Sequence, residues 1–300
     1  MKSIVYFLPF LSVAWATPVQ QLVPSFVSDL QSIAVDKSSV PEEKIWNGAK
    51  SDPIPFIVSL QWPVSWGWDH FCGGTLIAPN RILTAYHCFD PEKNTDTRFR
   101  AVLGTTINQE PGQQVEFQLE HIKRDEFMLG AGLGESGTVY YANDNIVIQL
   151  PSSVNVDNET VSTVCLAGGN VSADKYYAVG WGRHNCKEGS SYLRYAEAQV
   201  LDDQTCKKVW REKSIFDDIT LYKQTCSSFK QADGSDTPIY SGDSGGPLVA
   251  VVNGKPVQIG LASFVAEIDK CINLNVPPIF SKVSDHQAFI KKHAPEAEFC

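Results

Sequence analysis

From Ile45 onward, apolar residues arrive in short bursts, each shut off by Gly, Pro, Asn or Asp. The bursts "PFIVSLQW", "RILTAY", "FRAVLG", "NIVIQL", "YYAVGWG", "PLVAVV" and "VQIGLASFV" are rich in Val, Ile, Leu and aromatic residues. Such runs read as β-strands, and many of them separated by turn residues read as an all-β barrel or sandwich. The exception is the tail "SDHQAFIKKHA": Ser284 can cap a helix, Ala288 and Phe289 lie near one face, and basic residues fill the last turn. A C-terminal helix over 284–294 is expected. At 43% apolar residues, the 300-residue chain has material for a substantial core.

The first residues do not share this texture. "MKSIVYFLPFLSVAWATP" has a basic start at Lys2, an apolar run from Ile4 to Val13 and small residues at Ala14 and Ala16. That is the pattern of a secretory signal cleaved after Ala16; a membrane anchor needs about 20 apolar residues, and Thr17-Pro18 ends the run too early. A polar stretch without cysteine, Thr17 to Lys44, separates the signal from the β-like body. A secreted, extracellular protein is expected.

Composition excludes several classes. The net charge of −9, without any basic run, argues against nucleic acid. Export makes the eight cysteines disulfide partners, and no Cys-x-x-Cys or His-x-x-x-His spacing suggests zinc. No cofactor is implied. The sequons at Asn158 and Asn170 become usable glycosylation sites in the same compartment.

Four segments carry chemistry. "GDSGGP" offers Ser244 in a Gly-rich turn, "CGGTLIAPNRILTAYHC" places His87 beside Cys88 with Cys72 upstream, "NDNIVIQL" sets Asp144 before an apolar strand, and "GLASFV" puts Ser263 at a strand end. Acyl transfer by serine needs a nucleophile, a base, an acid that orients the base, and oxyanion donors. Taken singly these residues are ordinary turn or strand-end residues; together, in context, they form a motif set.

From Ile45 to about Ala294 the chain resembles the trypsin and chymotrypsin family of serine proteases, on "FCGGTLI", "TAYHC", "GWG" and "GDSGGPL" and the order His87, Asp144, Ser244. The resemblance implies two six-stranded antiparallel β-barrels, roughly 45–160 and 161–283, with the active site between them. It implies Ser244 as nucleophile, His87 as general base and then acid, Asp144 as orienting acid supported by Ser263, and the N–H groups of Gly242 and Ser244 as oxyanion hole. It also implies a zymogen: cleavage at Lys44-Ile45 by a trypsin-like protease would remove the propeptide 17–44 and free an Ile45 ammonium to pair with Asp243. Trp46 and Asn47 depart from the family's usual Val and Gly there, and Tyr86 replaces its small residue beside His87. A calcium loop is not supported, since Thr105 stands where a ligand Glu is usual.

The resemblance further implies Cys72–Cys88 and Cys206–Cys226. A third family bridge would join positions occupied here by Tyr176 and Ala250, and a fourth would use the position of Tyr240. Cys165, Cys186, Cys271 and Cys300 allow three pairings; proximity in the family's fold favours Cys186–Cys271, leaving Cys165–Cys300. The pocket for the residue before the scissile bond has two alignments. Ungapped counting puts Pro238 at its floor, whereas matching "GSDT" to a trypsin-like "GKDS" brings in Asp236. Val265 and Pro278 replace wall glycines and favour small or medium apolar residues; Asp236 would favour Lys or Arg. The stretch "MLGAGLGESGTVYYAN" before Asp144 is a long insertion, either over the cleft or on the surface.

Two rival classes remain for comparison. One is a catalytically impaired homologue acting as a binding protein, although no triad member is lost. The other is an α/β esterase, whose Gly-x-Ser-x-Gly elbow precedes a helix and whose order is Ser, Asp, His; Ser244 comes last here. Expected partners are protein or peptide substrates, the activating protease and protein protease inhibitors, with no membrane contact and a monomeric state.

Overall fold

The computed structural model describes residues 49–89, 97–110, 112–124, 132–133, 139–140, 143–183, 189–213, 221–230, 239–268, 271–272 and 275–300. Strand β1 (Ala49–Lys50) opens the described chain. The first sheet uses β2 (Ile57–Val64), β3 (Gly67–Ala78), β4 (Arg81–Thr84), β5 (Arg98–Leu103), β6 (Gln113–Gln118) and β7 (Ile122–Lys123). A two-stranded hairpin, β8 (Gly132–Leu133) with β9 (Val139–Tyr140), precedes β10 (Ile146–Gln149), which returns to the sheet.

The order in this sheet is β6-β5-β2-β3-β4-β10-β7. Its two outer members are halves of one stretch, bent at the 3₁₀ turn Leu119–His121. The sheet therefore curls into a half-barrel whose edges are joined by the chain itself. Within β2, residues 57–61 are all buried, but the two faces differ. Val58 and Leu60 join Leu76, Ile82, Phe99 and Phe117 inside this barrel. Successive strand residues alternate faces, so Ile57, Ser59 and Gln61 look the other way, and Ile57 packs with the second sheet.

That second sheet contains β11 (Cys165–Leu166), β12 (Lys175–Gly180), β13 (Arg194–Leu201), β14 (Gln224–Lys230), β15 (Pro247–Val252), β16 (Lys255–Phe264) and β19 (Ile279–Lys282). A small hairpin, β17 (Glu267–Ile268) with β18 (Cys271–Ile272), stands apart. The path β13-β12-β15-β16-β19-β14 closes through a β13–β14 pairing, giving a closed six-stranded barrel. Strand β1 pairs with β13 and ties the start of the domain to it. One ladder departs from the antiparallel expectation: β11 runs parallel to β16.

The barrels meet across a mixed interface. Ile54, Phe56, Ile57, Leu83 and Val147 from the first side pack with Trp181, Leu193, Val283 and Ile290 from the second. Within it, Thr75 Oγ1 donates to Gln258 Oε1 at 2.7 Å, so these two buried polar side chains satisfy each other as burial requires. Two helices complete the described fold. Helix α1 (Asp203–Lys213) was not anticipated from the sequence; Asp202 caps it, taking the Thr205 N–H at 2.9 Å. The tail forms a 3₁₀ turn at Val283–His286 and then α2 (Gln287–His293), so Ser284 lies inside the turn and His286 takes the N-cap position.

Candidate active site

Ser244 lies in a turn that both barrels hold. On one side Gly245 N–H donates to the Ala262 carbonyl of β16, and on the other Gly73 N–H of β3 donates to the Ser244 carbonyl, both at 2.8 Å. Gly245 has φ +73°, and a Cβ there would come within 2.7 Å of the Gly73 oxygen and 2.9 Å of the Ala85 nitrogen, besides striking Thr84 Oγ1. Only glycine lets the turn press against the end of β4. The residues it presses against, Thr84 and Ala85, lead directly into the 3₁₀ turn Tyr86–Phe89 that carries His87. The Cys72–Cys88 disulfide anchors that turn to β3.

Asp144 follows Asn143, whose φ of 58° bends the chain just before β10. The carboxylate is 4% exposed and fully engaged. Its Oδ1 accepts the His87 backbone N–H at 2.9 Å, and its Oδ2 faces His87 Nδ1 at 2.8 Å. Ser263 Oγ also donates to Oδ2. A carboxylate accepts, so Nδ1 carries the proton and Nε2 is left as the lone-pair nitrogen, the tautomer a general base needs. Burial pushes the Asp144 pKa up, but attraction to the His87 ring in its protonated form and the hydrogen bonds from His87 and Ser263 outweigh it, and the net shift is downward. Asp144 therefore stays an anion, while the His87 side chain keeps 25% of its surface open.

Tyr86 does not obstruct this pair. It packs on the core of the first barrel, with the Arg124 guanidinium 5.5 Å from its ring centre.

Asp243, the residue before Ser244, is a second buried carboxylate at 2% exposure. It accepts N–H groups from Gly182 at 2.7 Å and Tyr240 at 3.0 Å. Burial dominates those bonds and raises its pKa to about 6. Lys44, Ile45, Trp46 and Asn47 lie outside the described residues.

The sequence reading missed His70. Its Nε2 lies 2.9 Å from the Gly242 carbonyl and its Nδ1 2.8 Å from Ser59 Oγ, so it links β3 to the loop holding Ser244. Burial drives its pKa down to about 4, and the ring is neutral. No motif flags it, because its partner is 172 positions away.

Around the expected substrate pocket, Asp236 and Pro238 lie outside the described residues. Val265 is half-buried and packs on a cluster that includes Ile239, which is 5% exposed. Ile239 was not singled out from the sequence, although it stands directly between Pro238 and Tyr240. Pro278 is buried, and the carbonyl of its neighbour Pro277 accepts Trp210 Nε1–H at 3.0 Å. Tyr240 is buried beside the Arg183 guanidinium, 6.0 Å from its ring centre.

Disulfides join Cys72–Cys88, Cys206–Cys226 and Cys165–Cys300. Cys186 lies outside the described residues, and of Cys271 only its place in β18 is described. Tyr176 and Ala250 are direct register partners between β12 and β15. Asn158 and Asn170 are both exposed. The described clusters of metal-ligating side chains, Cys72-His87-Cys88 and Cys165-Glu298-Cys300, are built on cysteines already in disulfides. Among the described residues no helix is long and apolar enough to cross a membrane.

Comparison with known proteins agrees on one family. The family model described as Trypsin matches residues 45–290. The chain is 29% identical to chymotrypsin-like elastase family member 1 of Felis catus over 246 residues, covering 81% of this chain and 85% of that protein. It is 26% identical to lectizyme of Glossina austeni over 272 residues, covering 86% and 89%. To coagulation factor XII of Cavia porcellus it is 26% identical over 250 residues, covering 80% of this chain and 38% of that protein.

Proposed function

Because the chain belongs to the trypsin family of serine endopeptidases, we propose that it cleaves proteins through an acyl-enzyme on Ser244. His87 Nε2 takes the Ser244 proton as the oxygen attacks the scissile carbonyl. Asp144 stabilises the imidazolium that results, and the N–H groups of Gly242 and Ser244 receive the oxyanion. His87 then returns the proton to the leaving amine. The observation that carries this reading is the pair of bonds converging on Asp144 Oδ2, one shared with His87 Nδ1 and one from Ser263 Oγ, beside the turn that presents Ser244.

The protein is made with a secretory signal over 1–16 and a propeptide over 17–44, acts extracellularly, and is activated by cleavage at Lys44-Ile45. The buried Asp243 supports this: among the described residues it accepts the backbone N–H groups of Gly182 and Tyr240, its pKa is raised to about 6, and the freed Ile45 ammonium would supply a counter-charge. Residues before the scissile bond are small or medium and apolar. Packing of Val265 with the buried Ile239 supports that choice over Lys or Arg at Asp236. One methylene in such a pocket is worth about 1–3 kcal/mol of discrimination.

A panel of peptides varied at the residue before the cleaved bond tests the whole reading with trypsin-cleaved protein. Cleavage after Ala and Val, unchanged in Asp236→Ser, is expected. A Lys or Arg preference that Asp236→Ser removes would replace the apolar assignment. Stoichiometric binding of every peptide without turnover would favour the binding-protein alternative.

A further inference from the structure

We propose that Arg100 and Gln61 are positioning residues for the oxyanion loop, acting through a one-directional hydrogen-bond relay that ends on the Gly242 carbonyl. Arg100 Nε and Nη2 donate to Gln61 Oε1 at 3.1 and 2.5 Å. Gln61 Nε2 donates to Ser59 Oγ at 3.1 Å and to the Asn108 carbonyl at 2.5 Å. Ser59 Oγ meets His70 Nδ1 at 2.8 Å, and His70 Nε2 meets the Gly242 carbonyl at 2.9 Å.

The chemistry at each end dictates the direction. A guanidinium only donates, so it fixes the Gln61 amide with its oxygen outward and both N–H groups inward. Ser59 accepts from one of them and turns its own hydrogen to His70 Nδ1. The proton of the neutral ring then sits on Nε2, where a carbonyl that can only accept requires it. Both ends demand the same tautomer. Ser59 and Gln61 are 0% and 1% exposed, so water cannot stand in for a lost partner without cost.

The relay follows from the fold. Ser59 and Gln61 lie on the face of β2 turned away from the first barrel's interior, toward the second barrel. Arg100 is the register partner of Gln61 on β5, with its guanidinium 4.8 Å over the Trp68 ring. At the far end, His70 holds the oxygen of the Gly242–Asp243 peptide, and the Tyr240 carbonyl holds its N–H at 2.9 Å. Gly242, at φ +101° and with the freest of backbones, is thereby fixed on its C-terminal side. The inference rests on the reading that the Gly242 N–H receives the oxyanion.

Gln61→Glu tests the relay because it keeps shape and the Arg100 contact but removes both N–H groups, so Ser59 turns its hydrogen to the carboxylate and His70 loses its donor. Losing one oxyanion donor outright costs about 10²–10³ in kcat; misaligning it is expected to cost about tenfold, with KM within about twofold because the contact exists only in the transition state. The ¹⁵N signals of His70 are expected to leave the Nε2–H pattern. Arg100→Met is expected to lower kcat similarly and Arg100→Lys, with a donor restored, to recover part of it. Unchanged His70 signals and kcat within twofold in Gln61→Glu would overturn the relay, as would a loss matched by the unfolded fraction in thermal melts. If cleaved wild-type protein hydrolysed no peptide, the protease reading would fail, while the His70 signals would still decide whether the relay exists.

Discussion

Asp144 shows how much one residue's environment decides. It is buried, which alone would favour the neutral acid, yet His87 and Ser263 hold it ionised. Replacing it with Asn keeps the shape but offers His87 the wrong partner, and kcat is expected to fall about 10⁴-fold, as for the same change in the serine protease template. Ser263→Ala removes one hydrogen bond to a charge, worth about 1.5–3 kcal/mol, and kcat is expected to fall at least tenfold in steady-state assays. Asp243 has the opposite balance. Its folded pKa, raised to about 6, means the folded precursor holds a proton more tightly than the unfolded chain does. Precursor stability from this group is therefore lost as pH rises from about 4 through about 6. Under the proposed activation, an Ile45 ammonium freed by cleavage would offset that loss until it deprotonates near or above its ordinary value of about 8. Thermal melts of cleaved and uncleaved protein are thus expected to diverge between pH 5 and 7, and activity to fall on the alkaline side. Lys44→Gln precursor that trypsin activates as well as wild type would refute the assigned bond. At this scale the sequence was most legible where chemistry is packed into contiguous motifs, as around His87 and Ser244. It was silent on His70, Gln61 and Arg100, which are ordinary residues until strands distant in sequence bring them into line.

Among the elements, the turn around Ser244 depends on a missing side chain. Gly245→Ala combines a left-handed backbone, costing about 1 kcal/mol or more in a residue with Cβ, with collisions at Gly73 and Ala85. Secretion yield and melting temperature are expected to drop together, and wild-type values for both would contradict the packing described. The Cys165–Cys300 disulfide ties β11, at the start of the second sheet, to the tail after α2. The last residues also form a β-bridge there: Leu166 N–H donates to the Glu298 carbonyl and Cys300 N–H to the Leu166 carbonyl, at 2.9 and 2.8 Å. The disulfide closes a separation of 135 residues, so its removal in a Cys165→Ala/Cys300→Ala variant is expected to cost about 2–5 kcal/mol, measured by denaturant unfolding. Strands were read from periodicity and turn residues, and the sheets confirm that texture. Helix α1 was not: its apolar positions are few, Cys206 and Trp210 being its buried residues, so what holds it is packing on Cys226, Val276 and Ile279. The onset of α2 moved past Ser284 because a 3₁₀ turn intervenes.

For the molecule as a whole, two barrels supply different halves of one site. The first carries His87, Asp144 and His70, and the second carries Ser244, Asp243 and Ser263. Bonds that cross between them, Ser263 to Asp144, His70 to Gly242 and Gly73 to Ser244, assemble the chemistry at the seam. The sequence could announce this architecture only through its resemblance to a family, since no local pattern states that two sheets will face each other. Substrate preference was least legible, because the sequence allows two alignments that place either Pro238 or Asp236 at the pocket floor. The central claim is that Ser244 is a nucleophile activated by cleavage before Ile45. Fluorophosphonate labelling with peptide mass mapping tests it most directly. The account predicts one adduct, on Ser244, in trypsin-cleaved protein and strongly reduced labelling in the precursor. No adduct on folded protein with verified cleavage at Lys44-Ile45, or an adduct on another residue, would contradict it.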